Sequence, residues 1–187
     1  MEEFEVTYLE VDVPTIENNL VNIGATRMGD YHFRRALFDY PDLRLNAKDS
    51  WVRLRTDGSK TTLAYKETNK EGRDGVKEIE VVVDSYEKTY DLFLAMGFII
   101  KREEENKRTK YVKGGTVFDI DSWPKMPTYL EIESASIEMA RMAGEEIGLR
   151  PEDGLILGPK DGYMKYGIDL DEYSVITFDK FIKKSER

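Results

Sequence analysis

The stretch Trp51–Lys66, WVRLRTDGSKTTLAYK, predicts a β-hairpin. Asp57 and Gly58 supply its turn, because glycine adopts positive φ at no steric cost and aspartate comes close to doing so. Successive side chains of a strand point to opposite faces. Val52 and Leu54 therefore share an apolar face that is suited to a protein core. The alternation predicts a half-buried antiparallel strand pair.

The other face of this hairpin is cationic. With a two-residue turn, Arg53 faces Thr62, and Arg55 lies on the same face as Arg53. Lys66 then lies on the arginine face of the returning strand, whereas a three-residue loop would move it to the opposite face. Three cations on one face indicate either a solvated outer surface or a site that binds an anion.

Acidic residues recur as pairs separated by one residue, each pair opposite an apolar face. The pairs are Glu3/Glu5, Glu78/Glu80, Asp119/Asp121 and Glu131/Glu133. Like charges on one strand face repel, and an ordinary half-buried strand simply turns its polar face to water. A sheet rolled into a barrel, with the charged face inward and helices over the apolar face, explains both signs of charge. Carboxylates would hold a divalent metal ion there, and Arg and Lys would hold phosphate oxygens.

The composition is that of one globular domain spanning residues 1–187. The net charge of −9 disfavours a nucleic-acid binder, because such proteins depend on contacts between cations and phosphates. The absence of cysteine excludes disulfides, thiolate catalysis and cysteine-ligated zinc, and it fits a cytoplasmic protein. No apolar run reaches the roughly 18 residues of a membrane helix, so no membrane association is expected.

The remaining elements follow from periodicity and from turn residues. Helices are expected from Pro14 to Gly24, from a capping box at Asp84 and Glu87 to Gly97, and from Ser134 or Ser136 to Gly148. Residues 25–40 predict a pair of strands. The only histidine, His32, is expected to be a structural or surface residue and not a catalytic base, because one histidine cannot build a histidine metal site.

Seven short motifs occur in a fixed order along the chain. They are Glu3-Phe4-Glu5-Val6-Thr7, Val52-Arg53-Leu54-Arg55, Leu63-Ala64-Tyr65-Lys66, Glu78-Ile79-Glu80, Lys107-Arg108-Thr109-Lys110-Tyr111, Asp119-Ile120-Asp121 and Leu130-Glu131-Ile132-Glu133. In this order they resemble the CYTH superfamily of triphosphate tunnel metalloenzymes, which includes class IV adenylate cyclases and thiamine triphosphatases. The resemblance is close over residues 1–135, the core tunnel motifs, and loose over residues 136–187, a helical and strand completion.

The resemblance implies an α+β fold, in which a closed eight-stranded antiparallel β-barrel forms a triphosphate tunnel with a charged interior and helices outside. By the same resemblance, Mg²⁺ or Mn²⁺ is coordinated by Glu3, Glu5, Asp119, Asp121, Glu131 and Glu133. The phosphates are held by Arg53, Arg55, Lys66, Lys107, Arg108 and Lys110. Thr7 stands where the family has a lysine, and Arg34 or Arg35 is a substitute for that cation. The general base is unassigned, with Lys107 and Lys110 as candidates.

The predicted function is metal-dependent hydrolysis of a triphosphate, which is tripolyphosphate, a nucleoside triphosphate or thiamine triphosphate. One alternative is a class IV-type adenylate cyclase, which converts ATP to cyclic AMP and pyrophosphate. A second alternative is a phosphoryl-ligand binding protein without turnover, which the replacement of the family lysine by Thr7 favours. The expected partner is the small-molecule triphosphate, and a homodimer is left open.

Overall fold

The computed structural model describes residues 4–68 and 76–186 and shows an α+β fold with an antiparallel sheet and four α-helices. Its strands are β1 (Phe4–Tyr8), β2 (Thr26–Asp39), β3 (Ser50–Thr56), β4 (Thr61–Thr68), β5 (Val76–Val83), β6 (Ile99–Lys113), β7 (Thr116–Ser122), β8 (Tyr129–Ser134), β9 (Tyr173–Ile176) and β10 (Phe181–Lys183). Its helices are α1 (Val13–Asn22), α2 (Tyr86–Ala95), α3 (Ile137–Glu146) and α4 (Pro159–Lys165). Residues 25–40, predicted as two strands, belong mainly to the single long strand β2.

The chain divides into two compact units. Of the described residues, the first unit comprises residues 32–68, 76–106 and 171–186, and the second comprises residues 4–31 and 107–170. Both long strands, β2 and β6, contribute residues to each unit.

In the second unit, β1, β8, β7 and β6 pair in that order, and every pair is antiparallel. The apolar strand positions, such as Val6, Ile132 and Phe118, are fully or almost fully buried. They form one core with Leu20 of α1 and Ile147 beyond α3. The helices therefore cover the apolar face of these strands, as the alternation predicts, and the acidic pairs are left on the opposite face.

In the first unit, β2, β3, β4 and β5 pair consecutively as antiparallel neighbours. Phe38, Leu54 and Tyr86 lie at the centre of its core, and Phe93 of α2 packs against them. The short strand β9 pairs in parallel with β6 and antiparallel with β10.

The hairpin turn is longer than the predicted two residues. Thr56 pairs with Thr61, so the loop holds four residues, and the Asp57 carboxylate accepts hydrogen bonds from the backbone N–H groups of Ser59 and Lys60 at 2.8 and 2.7 Å. The pairing register is shifted by two positions relative to the prediction. Because the shift is even, no side chain changes face.

The expected barrel closure is not established by these pairings. The described strands form the order β1-β8-β7-β6-β2-β3-β4-β5, which has two ends. The pairings among the described residues therefore show an antiparallel sheet and do not show the closure of the eight-stranded barrel expected from the sequence. Alternation along each strand predicts which face a side chain joins, but it does not predict whether the two end strands meet.

Two helix starts differ from or refine the sequence prediction. Ser85, rather than Asp84, caps α2 by accepting a hydrogen bond from the Lys88 N–H at 3.2 Å. Ser136, one of the two predicted serines, caps α3 through the Met139 N–H at 3.1 Å. Within the residues that the structure describes, no helix is long and apolar enough to cross a membrane.

Candidate functional site

The cationic cluster of the first unit lies on one face of β2 to β5. Its three cross-strand rows are Leu37–Arg53–Ala64–Glu80, Arg35–Arg55–Thr62–Val82 and Trp51–Lys66–Glu78. Residues directly opposite each other in an antiparallel pair share a face. The structure therefore brings together Arg35, Arg53, Arg55 and Lys66, as predicted from the sequence.

Two carboxylates of β5 bind three of these cations. Nη2 of Arg53 donates to Oε1 of Glu78 at 3.2 Å and to Oε2 of Glu80 at 3.3 Å. Nζ of Lys66 lies 2.9 Å from Oε2 of Glu78, and Nη2 of Arg55 lies 3.7 Å from Oε2 of Glu80. The Arg53 side chain is 12% exposed, so it does not point into bulk solvent. Glu78 and Glu80, the acidic pair predicted from the sequence, therefore form ion pairs with the cations of the neighbouring strands.

These three rows contain four cations, Arg35, Arg53, Arg55 and Lys66, and two carboxylates, Glu78 and Glu80. Arg35 and Arg55 stand directly opposite each other, an arrangement of like charges that is destabilising without an anion. Thr62, also opposite Arg55, has a buried hydroxyl with no hydrogen-bond partner among the described residues. A buried hydroxyl ordinarily has a partner, so this position suits a bound polar ligand.

Sequence analysis missed the polar residues of β6 that belong to the first unit. Arg102, Glu104 and Asn106 occupy alternate positions and are all buried. The Arg35 guanidinium donates to the Asn106 side-chain oxygen, and Nε of Arg102 donates to Oε1 of Glu104 at 2.5 Å. The period of two within the charged run of β6 is the signal that could have identified them.

The carboxylate cluster of the second unit surrounds Arg108. Its rows are Thr7–Glu131–Asp119–Lys110, Tyr129–Asp121–Arg108 and Glu5–Glu133–Val117–Val112. Nε of Arg108 donates to Oδ1 of Asp121 at 3.0 Å, and Nη2 also contacts this carboxylate. Nη1 donates to Oδ2 of Asp119 at 2.5 Å, and Nη2 donates to Oε2 of Glu131 at 2.6 Å. One guanidinium therefore binds three carboxylates from two strands.

Burial is the largest cause of the pKa shifts of the carboxylates in this cluster. Burial raises the pKa of Glu131 well above its ordinary value, and Glu5 and Asp121 raise it further against the opposing effect of Arg108. Burial likewise raises the pKa of Asp119. Burial opposes the charge on Arg108, but its three carboxylate partners outweigh this and raise its pKa well above the ordinary value.

The donor set suits a hard divalent cation, because carboxylate oxygens on adjacent strands are the ligands that Mg²⁺ and Mn²⁺ prefer. Oδ1 of Asp119 and the Tyr129 hydroxyl are buried and have no hydrogen-bond partner among residues 4–68 and 76–186. Within the same residues, no three acidic or histidine side chains are grouped in a way that could hold a metal ion. The carboxylates are instead arranged around the Arg108 guanidinium.

The other predicted site residues fall in different places. Glu5 and Glu133 lie opposite each other on β1 and β8, and Glu3 lies outside the described residues. Nζ of Lys110 lies 3.7 Å from Oδ2 of Asp119, within the cluster. Lys107 is exposed and, by alternation along β6, lies on the opposite face from Arg108. The structure therefore does not bring Lys107 to the carboxylates, and of the two candidate bases only Lys110 lies there.

Thr7 is fixed in a buried position at the end of β1. Its backbone exchanges two hydrogen bonds with Leu155, at 2.8 and 2.9 Å, and its hydroxyl donates to the Leu157 carbonyl at 3.3 Å. The side chain is almost fully buried. Thr7 is therefore enclosed by the segment around Leu157 and brings no charge to this position.

The profile of the CYTH domain matches residues 1–150. The chain belongs to the CYTH family. The resemblance expected from the seven motifs is thereby confirmed. No protein of curated function matches the sequence significantly.

Solved structures with this CYTH fold come from several organisms. A Pyrococcus horikoshii protein has 22% identity and a TM-score of 0.70, over 83% of this chain and 96% of that one. A proposed adenylate cyclase from Vibrio parahaemolyticus has 13% identity and a TM-score of 0.76, over 88% and 98%. A proposed adenylyl cyclase from Hippeastrum, described as having a dominant triphosphatase activity, has 15% identity and a TM-score of 0.66, over 89% and 96%. At these identities the likeness shows the fold alone.

Proposed function

We propose that this CYTH domain is a divalent-metal-dependent hydrolase of a triphosphate: tripolyphosphate, a nucleoside triphosphate or thiamine triphosphate. The observation that carries the proposal is the grouping of four cations on one face of β2 to β5, where Arg35 and Arg55 oppose each other. The buried Thr62 hydroxyl beside them has no hydrogen-bond partner among the described residues. A polyphosphate chain supplies several anionic oxygens, and arginine binds them with paired N–H donors.

Within this proposal, Arg35, Arg53, Arg55 and Lys66 bind phosphate oxygens. Glu78 and Glu80 hold the Arg53 and Lys66 side chains in place before the ligand arrives. Prepositioned cations lower the cost of ordering long side chains on binding. The Thr62 hydroxyl donates one further hydrogen bond to the anion.

The carboxylate cluster takes the metal ion in this proposal. Glu5, Asp119, Asp121, Glu131 and Glu133 are its ligands, together with Glu3 from outside the described residues. A bound Mg²⁺ or Mn²⁺ supplies polarisation of the phosphoryl group and offsets its developing charge. Lys110 stays the candidate proton acceptor. The closed tunnel expected from the sequence also belongs to the proposal, with the triphosphate inside it.

A class IV-type cyclase is the second candidate, because structural neighbours include proposed adenylate cyclases. Binding without turnover is the third, because the buried Thr7 cannot supply the charge of the family lysine. The deciding experiment incubates the purified protein with tripolyphosphate, ATP or thiamine triphosphate and with Mg²⁺ or Mn²⁺. Free phosphate supports the hydrolase, cyclic AMP with pyrophosphate supports the cyclase, and binding without product supports the third candidate.

A matched pair of variants links any activity to the cluster. Glu131→Gln removes one buried carboxylate from it, and we expect metal-dependent activity to be lost. Glu138→Gln removes a carboxylate of the same chemistry from an exposed position on α3 and should leave activity unchanged. Full activity in Glu131→Gln would exclude that residue from the site.

A further inference from the structure

Arg108 occupies the centre of the cluster that the proposed function assigns to a metal ion. Its guanidinium contacts Asp119, Asp121 and Glu131, all of them buried, and its own side chain is 20% exposed. The Arg108 guanidinium donates charge-assisted hydrogen bonds to Asp119 at 2.5 Å and to Glu131 at 2.6 Å. The guanidinium thus uses oxygens from three of the proposed metal ligands.

One arrangement of these carboxylate oxygens cannot bind both the Arg108 guanidinium and a divalent metal ion. Mg²⁺ and Mn²⁺ require several oxygens converging on one point at about 2.0–2.3 Å, in near-octahedral geometry. A guanidinium is planar and spreads its donors over a fork, so its acceptors stand apart. In the part of the chain that the structure describes, no three acidic side chains are placed to hold a metal ion, and Asp119, Asp121 and Glu131 are arranged around the guanidinium.

We infer that Arg108 is a built-in counter-ion, which must leave the carboxylates before a divalent metal ion can bind to them. The inference rests on the proposed function, because it takes the metal of that proposal as given. Without Arg108, the buried carboxylates of Asp119, Asp121 and Glu131 would lose the one cation that contacts all three of them among the described residues. Arg108 therefore stabilises the metal-free protein and competes with the metal.

The competition gives the triphosphate a role in metal binding. Phosphate oxygens are an alternative partner for a guanidinium. A triphosphate that binds Arg108 frees the carboxylates, so metal and triphosphate should each strengthen the binding of the other, as linkage requires. Metal alone should bind weakly. If the guanidinium-free cluster is populated less than about one-tenth of the time, Arg108 raises the apparent Kd for metal at least about tenfold.

The test measures Mn²⁺ binding to the full chain without triphosphate, by the electron paramagnetic resonance signal of free Mn²⁺. We expect Arg108→Gln to bind Mn²⁺ at least about tenfold more tightly than the wild type. Lys113→Gln is the matched control, because Lys113 is on the same strand, carries the same charge and pairs with Glu146 outside the cluster. Its Mn²⁺ affinity should equal that of the wild type.

Equal or weaker Mn²⁺ binding by Arg108→Gln would overturn the inference while leaving the proposed metal site intact. If neither protein binds Mn²⁺, even when tripolyphosphate is added, the metal part of the proposed function fails and this inference fails with it. Should Arg108→Gln not fold without metal, Arg108→Lys decides. It keeps the charge but not the fork, so Mn²⁺ must bind it more tightly than the wild type, and unchanged affinity would overturn the inference.

Discussion

The substitution Arg55→Gln separates phosphate binding from stability in the cationic cluster. The Arg55 guanidinium lies 3.7 Å from Glu80, and the two side chains are 24% and 31% exposed. An ion pair this long and this exposed contributes about 0–1 kcal/mol to stability. The like charge of Arg35 directly opposite costs about 0.2–1 kcal/mol. The Arg55 guanidinium also lies 4.9 Å from the centroid of the Phe33 ring, a cation–π contact that contributes about 0.5–1 kcal/mol. Because the repulsion offsets part of these attractions, the free energy of unfolding should fall by less than about 2 kcal/mol.

Binding of the anion should respond much more strongly. A hydrogen bond to a charged partner contributes about 1.5–3 kcal/mol. Since 1.4 kcal/mol corresponds to a factor of ten, Arg55→Gln should raise the Kd for tripolyphosphate about 10- to 100-fold. Isothermal titration calorimetry with tripolyphosphate in the presence of EDTA measures this without turnover, and urea unfolding measures stability on the same samples.

Arg34→Gln is the control for Arg55→Gln. Arg34 belongs to β2 but, by alternation, lies on the face opposite Arg35, where it pairs with Glu87 at 2.7 Å and stacks over the Tyr86 ring at 4.1 Å. Its removal should leave the Kd unchanged. An unchanged Kd in Arg55→Gln, or an equal rise in Arg34→Gln, would refute the assignment of the anion site to this face.

Three further substitutions test the packing and the electrostatics. In the metal-free protein the pKa of Glu131 is raised, so the stability that this carboxyl contributes is present below its ordinary pKa of 4.5 and is lost as the pH rises. Glu131→Gln should therefore flatten the decline of the free energy of unfolding above about pH 4.5. If the variant and the wild type lose stability in parallel as the pH rises, the prediction is wrong. Asp39→Ala should cost about 1–3 kcal/mol in urea unfolding, because the buried carboxylate accepts backbone hydrogen bonds from Leu45 and Asn46 at 3.0 and 2.9 Å; wild-type stability would refute it. Gly154→Ala should lower the free energy of unfolding by about 1–3 kcal/mol, because the added Cβ would lie 2.5 Å from a Val6 methyl group. An unchanged Tm would show that β1 can move to accommodate the methyl group without loss of stability.

Much of the site was accessible to sequence reasoning because side-chain alternation has a period of two. The pairs Arg53/Arg55, Glu78/Glu80 and Asp119/Asp121 each lie on the polar face that the alternation predicts. Even the wrong turn length left Lys66 on the arginine face, because the register moved by two residues. The same rule applied to β6 separates Arg108 and Lys110 from Lys107, although the motif placed all three together.

The sequence by itself determined the fold family and the chemistry of each strand face, because both depend on local alternation and on the order of motifs along the chain. Tertiary structure alone decided which charges meet, because pairing register and burial depend on contacts between residues far apart in the sequence. For example, Arg108 donates a hydrogen bond to Glu131, which is 23 positions away in the sequence. The Thr7 hydroxyl donates to the carbonyl of Leu157, which is 150 positions away. The order of the strands from β1 to β5 was likewise decided by tertiary structure, because no local pattern specifies which strands become neighbours in a sheet.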